Sequence, residues 1–406
     1  MNTYTKLILS LLLACLVFST VSRATVKPLL ITIAAGKFDR RETVVSFMMP
    51  VEAKEKFYRL RDATGRTFPL QIDSERRARF VLDELKAGAT EIFRLEAVKT
   101  AESSSERIEV KRDRDDLHIT VAGRPVLAYR MGKGVLPRPD IKPVFRRGGY
   151  IHSVLTPSGR QVTDDYPPNH LHHHGIWAAW TKTEFEGRRP DFWNMGDATG
   201  TVEFVSLDAM WNGTVDGGFT SRHRYVDLSA PQPKTVLDEV WQVNVYRVGR
   251  GKNLYWMFDL VSKQENVAGS SLVLPEYHYG GVGFRGRREW DGKENTFFLT
   301  SEGRDRTNGH ATRARWCDIG GRVDGALAGI AILGHPENFR APEPMRIHPT
   351  EPFFNYAPSQ LGRWEIAPNR PHVSRYRFIV HDGAPDKIEI NRLWNDYADP
   401  PQVTVS

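Results

Sequence analysis

The pattern of apolar and polar positions after the first two dozen residues is that of short β-strands. Between residues 29 and 98, apolar or alternating runs such as LLITIAAG and ARFVLDEL are separated by glycine, aspartate or charged pairs. A strand about every ten residues, with turn signals between strands, is typical of an antiparallel β-sandwich. We therefore predict a small N-terminal β-sandwich domain over residues 25–106, ending in a polar stretch without periodicity.

From residue 107 onward the pattern predicts a second and larger β domain. RIEVKR, DDLHITVAG and RPVLAYRMG predict a β-meander, and longer runs such as KTVLDEVWQVNVYRV predict a broad sheet with one solvated face. A helical pattern is confined to Ala384–Tyr397, where Pro385 suits a first turn. We predict a mainly β protein, in which residues 107–406 form a large antiparallel β-sandwich with one C-terminal helix.

The first 24 residues have the pattern of an export signal. Residues 7–21 are mostly apolar, and small residues at 22–24 suit cleavage near Ala24. The run ending at Cys15 leaves a lipidation site open as an alternative. No later segment reaches the roughly twenty apolar residues of a membrane span. We therefore predict an exported protein, periplasmic or extracellular, with no membrane contact beyond its signal.

Charge, cysteine content and missing motifs narrow the class of protein. The formal net charge is +7, and it falls to +5 once Lys6 and Arg23 leave with the signal. The basic residues are scattered among acids, so we predict no nucleic-acid binding. Cys317 is the single cysteine after residue 24, which excludes an intrachain disulfide. The sequence has no P-loop, no dinucleotide fingerprint, no Gly-x-Ser-x-Gly and no His-Glu-x-x-His motif.

The residues with the most evident chemistry lie between positions 150 and 193. This stretch holds five of the thirteen histidines and three of the ten tryptophans. In a strand, His170 and His172 would face the same way, which suits a proton donor with its orienting partner, or two metal ligands. A surface histidine cluster without function is the alternative. Our candidate catalytic residues are His170, His172 and His173, with Asp191 as a partner carboxylate.

Aromatic residues and a third histidine segment add candidate binding groups. Exposed indole rings can stack on the apolar face of a sugar, so Trp177 and Trp193 are candidate substrate-binding residues, although aromatic residues are more often core. His335 follows the buried run LAGIAILG, and loops at strand ends often carry functional groups. A proline-stiffened structural loop is the alternative for that segment.

The segment EYHYGGVGFRG offers a second carboxylate and a guanidinium. Glu276 and His278 could share one face of a strand, and Arg285 could grip a carboxylate or bind hydroxyls. We take Glu276 as a candidate catalytic carboxylate, and His278, Tyr279 and Arg285 as candidate substrate-binding residues. A structural role for this segment is equally open.

Three blocks of the sequence resemble a known family. YIHSVLTPSGRQVTDDYPPNHLHHHGIW, followed by DFW, is similar to the signature of the bacterial PmoA family, a domain of unknown function, and YHYGGVGFRG and ILGHPENFRAPEP are similar to its later blocks. The resemblance covers roughly residues 110–400. The family pattern Asp-His-Pro-His-His-Arg-Gly carries over to His170, His172 and His173, and this sequence departs from it at Asn169 and His174. Similarly, Gly334 stands where the pattern has an acid.

The resemblance implies a galactose-mutarotase-like β-sandwich in an exported bacterial protein associated with sugar catabolism. We do not transfer the methane-oxygenase activity that the family name suggests, because membrane methane monooxygenase is built from transmembrane helices. Our first hypothesis is an exported carbohydrate-active enzyme, a hydrolase, lyase or epimerase. It would use histidine and carboxylate acid–base chemistry at a glycosidic or anomeric carbon.

Two other hypotheses stay open, and no particular cofactor is predicted. One is a metal-dependent enzyme with His170, His172 and either His335 or His278 as ligands. The other is a non-catalytic sugar-binding protein. All three predict a carbohydrate or a sugar-derived small molecule as the partner.

Overall fold

The computed structural model of the protein describes residues 28–100, 106–132, 134, 136–249 and 254–406. The predicted export signal, residues 1–24, lies outside the described residues, as do residues 101–105 of the predicted domain boundary.

Two small sheets form the N-terminal part of the described chain. Alternating side chains such as Ile31, Ile33, Phe80 and Phe93 are fully buried in one apolar core shared by both sheets. One sheet has the order β26 (Gln402–Val405), β1 (Leu30–Ala34), β7 (Thr90–Val98), β3 (Phe57–Arg61), β4 (Thr67–Pro69), and the other the order β2 (Arg40–Met48), β6 (Arg77–Leu85), β5 (Gln71–Ile72).

The larger part consists of two antiparallel eight-stranded sheets, which we name the front sheet and the back sheet. The strands of the front sheet, in spatial order, are β22 (Met345–Ile347), β23 (Phe353–Tyr356), β18 (Gly281–Arg285), β12 (Ile176–Ala179), β11 (Tyr150–Val154), β10 (Arg124–Arg130), β9 (Asp116–Val121) and β8 (Ile108–Asp113). Those of the back sheet are β13 (Gly200–Trp211), β14 (Asp216–Asp227), β15 (Lys234–Tyr246), β16 (Tyr255–Asn266), β25 (His372–Asp382), β21 (Ala326–Gly334), β20 (Trp316–Val323) and β19 (Thr296–Thr300).

The main core lies between the front and back sheets. Ile176 and Phe284 of the front sheet belong to the same buried cluster as Trp241 and Val243 of the back sheet. The prediction of a mainly β protein with a small and a large antiparallel β-sandwich is therefore confirmed. A two-stranded sheet, β17 (Leu272–Leu274) with β24 (Trp364–Ile366), completes the strands described, and short 3₁₀ turns occur at Pro143–Phe145, Arg288–Trp290 and Pro358–Leu361.

The predicted C-terminal helix is present as α1 (Lys387–Ala398). It begins three residues later than the pattern suggested, because the Asp386 side chain caps it by accepting hydrogen bonds from the backbone of Ile388 and Glu389. A buried ion pair of 3.0 Å between Asp396 and Arg40 attaches the helix to β2.

The last strand crosses between the two parts of the chain. β26 pairs antiparallel with β1, so that Val405 lies opposite Ile31 in the N-terminal sheet. The division at residues 106 and 107 stays a prediction, and this strand joins the far end of the second segment to the first. Among the described residues, no helix combines the length and apolar character needed to cross a bilayer.

Candidate functional site

The candidate site lies on the outer face of the front sheet, the side away from the main core. Gly283 is opposite Trp177 on β12 and opposite Asn355 on β23, and Asn355 is opposite Arg346 on β22. Directly paired residues of antiparallel strands point to the same side, so this row shares one face. Their chain neighbours, such as Phe354, point into the main core.

The histidine cluster is presented by two consecutive turns, not by a strand. The backbone N–H of His170 donates to the carbonyl of Pro167, and that of His173 donates to the carbonyl of His170, both at 2.9 Å. The prediction that His170 and His172 share a strand face is therefore wrong, since prolines 167 and 168 favour turns. The turn instead stacks His170 on His173, with ring centroids 4.6 Å apart and an interplanar angle of 10°.

The partner carboxylate is Glu351, which the sequence reasoning missed. Its Oε2 lies 3.1 Å from Nδ1 of His170 and accepts a 2.6 Å hydrogen bond from Arg285, while its Oε1 accepts one of 3.0 Å from Asn169. Burial opposes ionisation of Glu351, but the polar contact with His170 and the Arg285 charge outweigh it and lower the pKa to about 2. The carboxylate is therefore ionised at neutral pH.

Arg285 holds this carboxylate in place and does not reach a substrate. Its guanidinium is fully buried and also donates to Asp291 at 2.7 Å. The register of β18 against β23 places Arg285 opposite Phe353, at the base of the hairpin loop that carries Glu351. The predicted substrate-binding role of Arg285 is thus corrected to one of positioning Glu351.

Aromatic rings form the floor beneath the histidines. His173 stacks on Phe353 with centroids 4.8 Å apart and lies 5.1 Å from the Trp177 ring. Trp177 and Trp193 are fully buried, so neither offers a face to a sugar, contrary to the prediction. Gly283 leaves room for both indoles, because a Cβ there would lie 2.7 Å from Trp193 and 3.3 Å from Trp177.

Two further imidazoles flank His170. The His172 ring lies 5.5 Å from that of His170, and the His348 ring lies 6.1 Å from it. Burial lowers the pKa of His172 to about 3 and that of His348 to about 4. Burial also holds the pKa of His173 well below its ordinary value. These three side chains are neutral at neutral pH.

Below the cluster, a second histidine–carboxylate pair braces the turn. Nδ1 of His174 lies 2.6 Å from Asp165, which also accepts a 2.9 Å hydrogen bond from the Tyr150 hydroxyl. His174 stacks on Tyr150 with centroids 4.3 Å apart. Both positions that depart from the resembled family pattern therefore have defined partners, since Asn169 binds Glu351 and His174 binds Asp165.

The rim is formed by a loop that the sequence suggested as a strand. Residues 275–280 have no strand pairing, and Glu276 and His278 are both exposed. Tyr279 is half-buried, its hydroxyl donates to Asn194 at 3.2 Å, and its ring lies 5.4 Å from Trp193. The loop thus brings Tyr279 to the site, whereas the predicted pairing of Glu276 with His278 on one strand face does not occur.

Asp191 is occupied by its own turn. Its Oδ1 accepts the backbone N–H groups of Trp193 and Asn194 at 2.9 Å, and its Oδ2 accepts the Asn194 side chain at 2.6 Å. The residue organises the turn that delivers Trp193 to the floor. Glu351, and neither Asp191 nor Glu276, is the carboxylate that the structure pairs with His170.

His335 is not brought to the site. It follows β21 in the back sheet, its Nδ1 accepts the backbone N–H of Glu337 at 3.2 Å, and its ring lies 4.8 Å from Tyr397 of α1. It packs between a loop and the helix, which fits the structural alternative for this segment.

One group of ligand atoms could hold a metal ion. Atoms of His170, His173 and Glu351 lie within 4.8 Å of one another, whereas the predicted ligands His335 and His278 are absent from this group. Imidazole lone pairs lie in the ring plane, and the two rings are stacked almost parallel, so their lone pairs do not converge. The Arg285 charge on Glu351 further disfavours a cation. This geometry fits a metal only after one ring turns.

The chain is a β-sandwich protein with a histidine–carboxylate centre on one sheet face. The model of a family of unknown function (DUF6807) matches residues 116–395, which is more than half of the chain, and the protein therefore belongs to that family. The match does not confirm the PmoA name that the sequence blocks suggested. No curated protein matches the sequence.

Solved structures with a similar chain path include two from Enterococcus faecalis. A protein of glycosyl hydrolase family 38 is 8% identical with a TM-score of 0.45, and an alpha-mannosidase is 10% identical with a TM-score of 0.43. Each alignment covers 93% of this chain but 47% and 46% of the other, so the chain spans about half their length.

A galactose mutarotase-related enzyme from Lactobacillus acidophilus is also similar. It is 9% identical with a TM-score of 0.34, over 69% of this chain and 99% of the other. At these scores, no conclusion about substrate or reaction follows from any of the three likenesses.

Proposed function

We propose that the protein is a carbohydrate-active enzyme in which His170 moves a proton at a glycosidic or anomeric oxygen. The observation that supports this proposal best is the pairing of His170 with an ionised, fully anchored carboxylate, Glu351, at 3.1 Å. A carboxylate beside one ring nitrogen favours a single orientation of the imidazole. The His170 side chain is 31% exposed, so a ligand can reach it.

We assign the two ring nitrogens different tasks. Nδ1 lies 3.1 Å from Glu351, within ion-pair distance although not aligned for a hydrogen bond, which leaves Nε2 to meet the substrate. When a C–O bond breaks, Nε2–H gives its proton to the leaving oxygen, while a water molecule or hydroxyl adds to the anomeric carbon and releases its proton to solvent. In the reverse direction the neutral ring takes the proton from a hydroxyl.

His172 and His348 act as neutral partners in this proposal. With pKa values of about 3 and about 4, neither holds a proton at neutral pH, so each can accept or donate a hydrogen bond to a sugar hydroxyl. The half-exposed Tyr277 and Tyr279 offer ring faces to the apolar side of a pyranose. This rim of rings and hydroxyl-binding groups is our reason for proposing a carbohydrate. We also propose that the protein is exported.

A panel of reducing sugars and aryl glycosides, assayed by NMR for anomerisation and cleavage, tests the proposal. We expect His170→Gln to lower kcat by about 10²–10⁴ on the responding sugar, the usual contribution of a general acid or base. Glu351→Gln should lower kcat less and alter its pH profile. His335→Gln, a histidine outside the site, is the matched control and should leave kcat unchanged. Full activity in the His170→Gln variant would contradict the assignment.

A metal-dependent enzyme is the second candidate, favoured by the three ligand atoms within 4.8 Å. It predicts stoichiometric zinc, copper or iron that survives dialysis of the wild-type protein and is lost in His173→Gln. The acid–base proposal predicts no such metal, so elemental analysis of these two proteins separates the candidates.

A further inference from the structure

We propose that Arg346 binds a carboxylate of the substrate, so that the sugar handled at this site is a uronic acid. This inference rests on the proposed function for its sugar, but the anion-binding role of Arg346 stands on separate observations. Arg346 is not among the candidate residues predicted from the sequence, and it has no role in the proposed proton transfer.

The first observation is position. Arg346 lies on the outer face of the front sheet, in the row that runs through Asn355 and Gly283 to Trp177. His348 follows two residues later, about 7 Å along extended chain, and its ring is 6.1 Å from that of His170. Arg346 is therefore a close neighbour of the proposed catalytic group.

The second observation is that the charge of Arg346 is not neutralised. Among the described residues, no carboxylate lies within ion-pair distance of its guanidinium, and Nη1 meets a ring nitrogen, Nε2 of His310, at 3.5 Å. Its Nε is buried without a hydrogen-bond partner. Arg285 provides the contrast, because Glu351 and Asp291 both pair with it.

The surrounding groups do not supply the missing negative charge. His278 and His310 are neutral at neutral pH, since burial and then the Arg346 charge lower their pKa values. Burial likewise lowers the pKa of Arg346 itself, with Tyr279, Tyr277 and the charge of Glu351, which lies beyond ion-pair distance, acting in the opposite direction. A partly desolvated cation without a counter-ion is unfavourable, and a bound anion relieves that cost.

A second positive charge on this rim also favours the binding of an anion. Lys182 lies over the Tyr277 ring at 5.4 Å and adds a second positive charge. Two acids near the rim are already engaged, Glu351 by Arg285 and His170, and Asp191 by its turn. Among the described residues, the charges of this rim without an ion pair are therefore two cations, Arg346 and Lys182, and one exposed acid, Glu276, so the balance is positive.

The kind of anion follows from the guanidinium and its neighbours. Arginine binds planar carboxylates through two parallel hydrogen bonds, and tyrosine rings beside it suit a pyranose face. A carboxylate carried on a sugar ring satisfies both features. A sulfated sugar shares the negative charge but not the planar group, so the two are distinguished by experiment.

Binding of defined sugars to the full-length protein, measured by calorimetry and ligand-observed NMR, tests this inference. The probes are glucuronate and galacturonate, their neutral counterparts glucose and galactose, and glucose 6-sulfate. We expect the wild type to prefer uronates, with an affinity that falls as NaCl rises. Arg346→Gln should weaken uronate binding about ten-fold or more, and Arg346→Lys should weaken it less, because a bidentate charged contact is lost or reduced. Arg322→Gln, an exposed arginine of the back sheet, is the control and should bind like wild type.

Several outcomes would overturn the inference: equal binding of uronate by wild type and Arg346→Gln, equal binding of neutral sugar and uronate by the wild type, a preference for glucose 6-sulfate, or no uronate binding at millimolar concentration. A urea unfolding midpoint equal to wild type shows that each variant is folded.

His170→Gln separates the two proposals. If uronate binding depends on Arg346 but no turnover occurs, the proposed function alone is contradicted. If a neutral sugar is turned over in a way that depends on His170 and is unaffected by Arg346→Gln, this inference alone is contradicted.

Discussion

Two histidine–glutamate pairs in this protein have the same chemistry and opposite surroundings. His223 and Glu239 lie on the back sheet with side chains 0% and 1% exposed, 3.1 Å apart. His170 and Glu351 lie on the outer face of the front sheet, also 3.1 Å apart, with side chains 31% and 12% exposed. The distance between the charged groups therefore does not distinguish a site from a structural contact.

The difference lies in what the second ring nitrogen meets. In the buried pair, Nε2 of His223 contacts the Tyr129 hydroxyl at 2.6 Å, and Glu239 also accepts hydrogen bonds from Ser262 and Gln264. Every group is satisfied and no substrate can enter, so this pair holds the sandwich together. In the exposed pair, Nδ1 lies beside the carboxylate and the rest of the ring is partly open to solvent. A histidine–carboxylate pair is a functional candidate only in the second arrangement.

The strongest test of this contrast removes each carboxylate. Glu239→Ala leaves the buried His223, Ser262 and Gln264 side chains without the carboxylate they share, and should lower the free energy of unfolding by about 3–5 kcal/mol. Glu351→Ala removes a carboxylate whose surroundings water can partly reach, so the free energy of unfolding should fall by only about 1–3 kcal/mol. Urea denaturation followed by circular dichroism measures both. Equal losses of unfolding free energy would show that solvent exposure does not distinguish the two histidine–glutamate pairs.

A second test concerns the packing under the exposed pair. Gly283→Ala places a methyl 2.7 Å from the Trp193 ring, and we expect overpacking to cost about 1–3 kcal/mol and to disturb the histidine floor. Gly196→Ala is the control, since its Cβ would meet the Phe145 ring at an ordinary 3.6 Å. Its stability should stay within about 0.5 kcal/mol of wild type. An unchanged unfolding midpoint in Gly283→Ala would contradict the tight floor.

The smallest expected effect is on pH dependence. Burial lowers the pKa of His348 to about 4 from the ordinary value of 6.5, so between these values the unfolded chain binds a proton that the folded protein does not. Stability therefore falls as the pH drops from 6.5 toward 4, by at most about 1.4 kcal/mol per pH unit for one such group. His348→Gln should flatten this dependence.

The measurement is the urea midpoint at several pH values in that window. His118→Gln serves as control, because this side chain is exposed to water in the folded protein. The Glu351 carboxyl, whose pKa is about 2, contributes stability that is lost only below about pH 4.5, so it affects only the lowest part of the window. A His348→Gln curve parallel to that of wild type would mean that the folded protein protonates His348 freely.

The sequence was sufficient for the fold class and for the location of the histidines. Alternating runs predicted the strands because one face of a half-buried strand packs in the apolar core and the other faces water. Glu351 was missed because it lies 181 residues after His170 in a short loop without periodicity, and only the pairing of β18 with β23 brings it close. The one available signal was His348, three residues before an acid that stands between Pro349 and Pro352.

The errors at Trp177 and Trp193 have a similar origin. A sequence indicates that an indole ring is large and apolar, but which side of a sheet a long loop covers is decided by contacts far apart in the chain. Here the turn organised by Asp191 packs Trp193 against Trp177, with ring centroids 4.8 Å apart, and closes both from solvent. The same turn occupies the carboxylate that had been predicted for catalysis.

The pairing of β26 with β1 has a consequence for synthesis of the protein. β1 is among the first described segments to leave the ribosome, yet the strand that covers its outer edge comprises residues 402–405. Until residues 402–405 have been synthesised, that edge is open to pairing with other chains, a known source of aggregation. In a cell the edge of β1 is therefore covered only after nearly 370 further residues have been made, and changes to residues 402–405 should promote aggregation of the newly made chain.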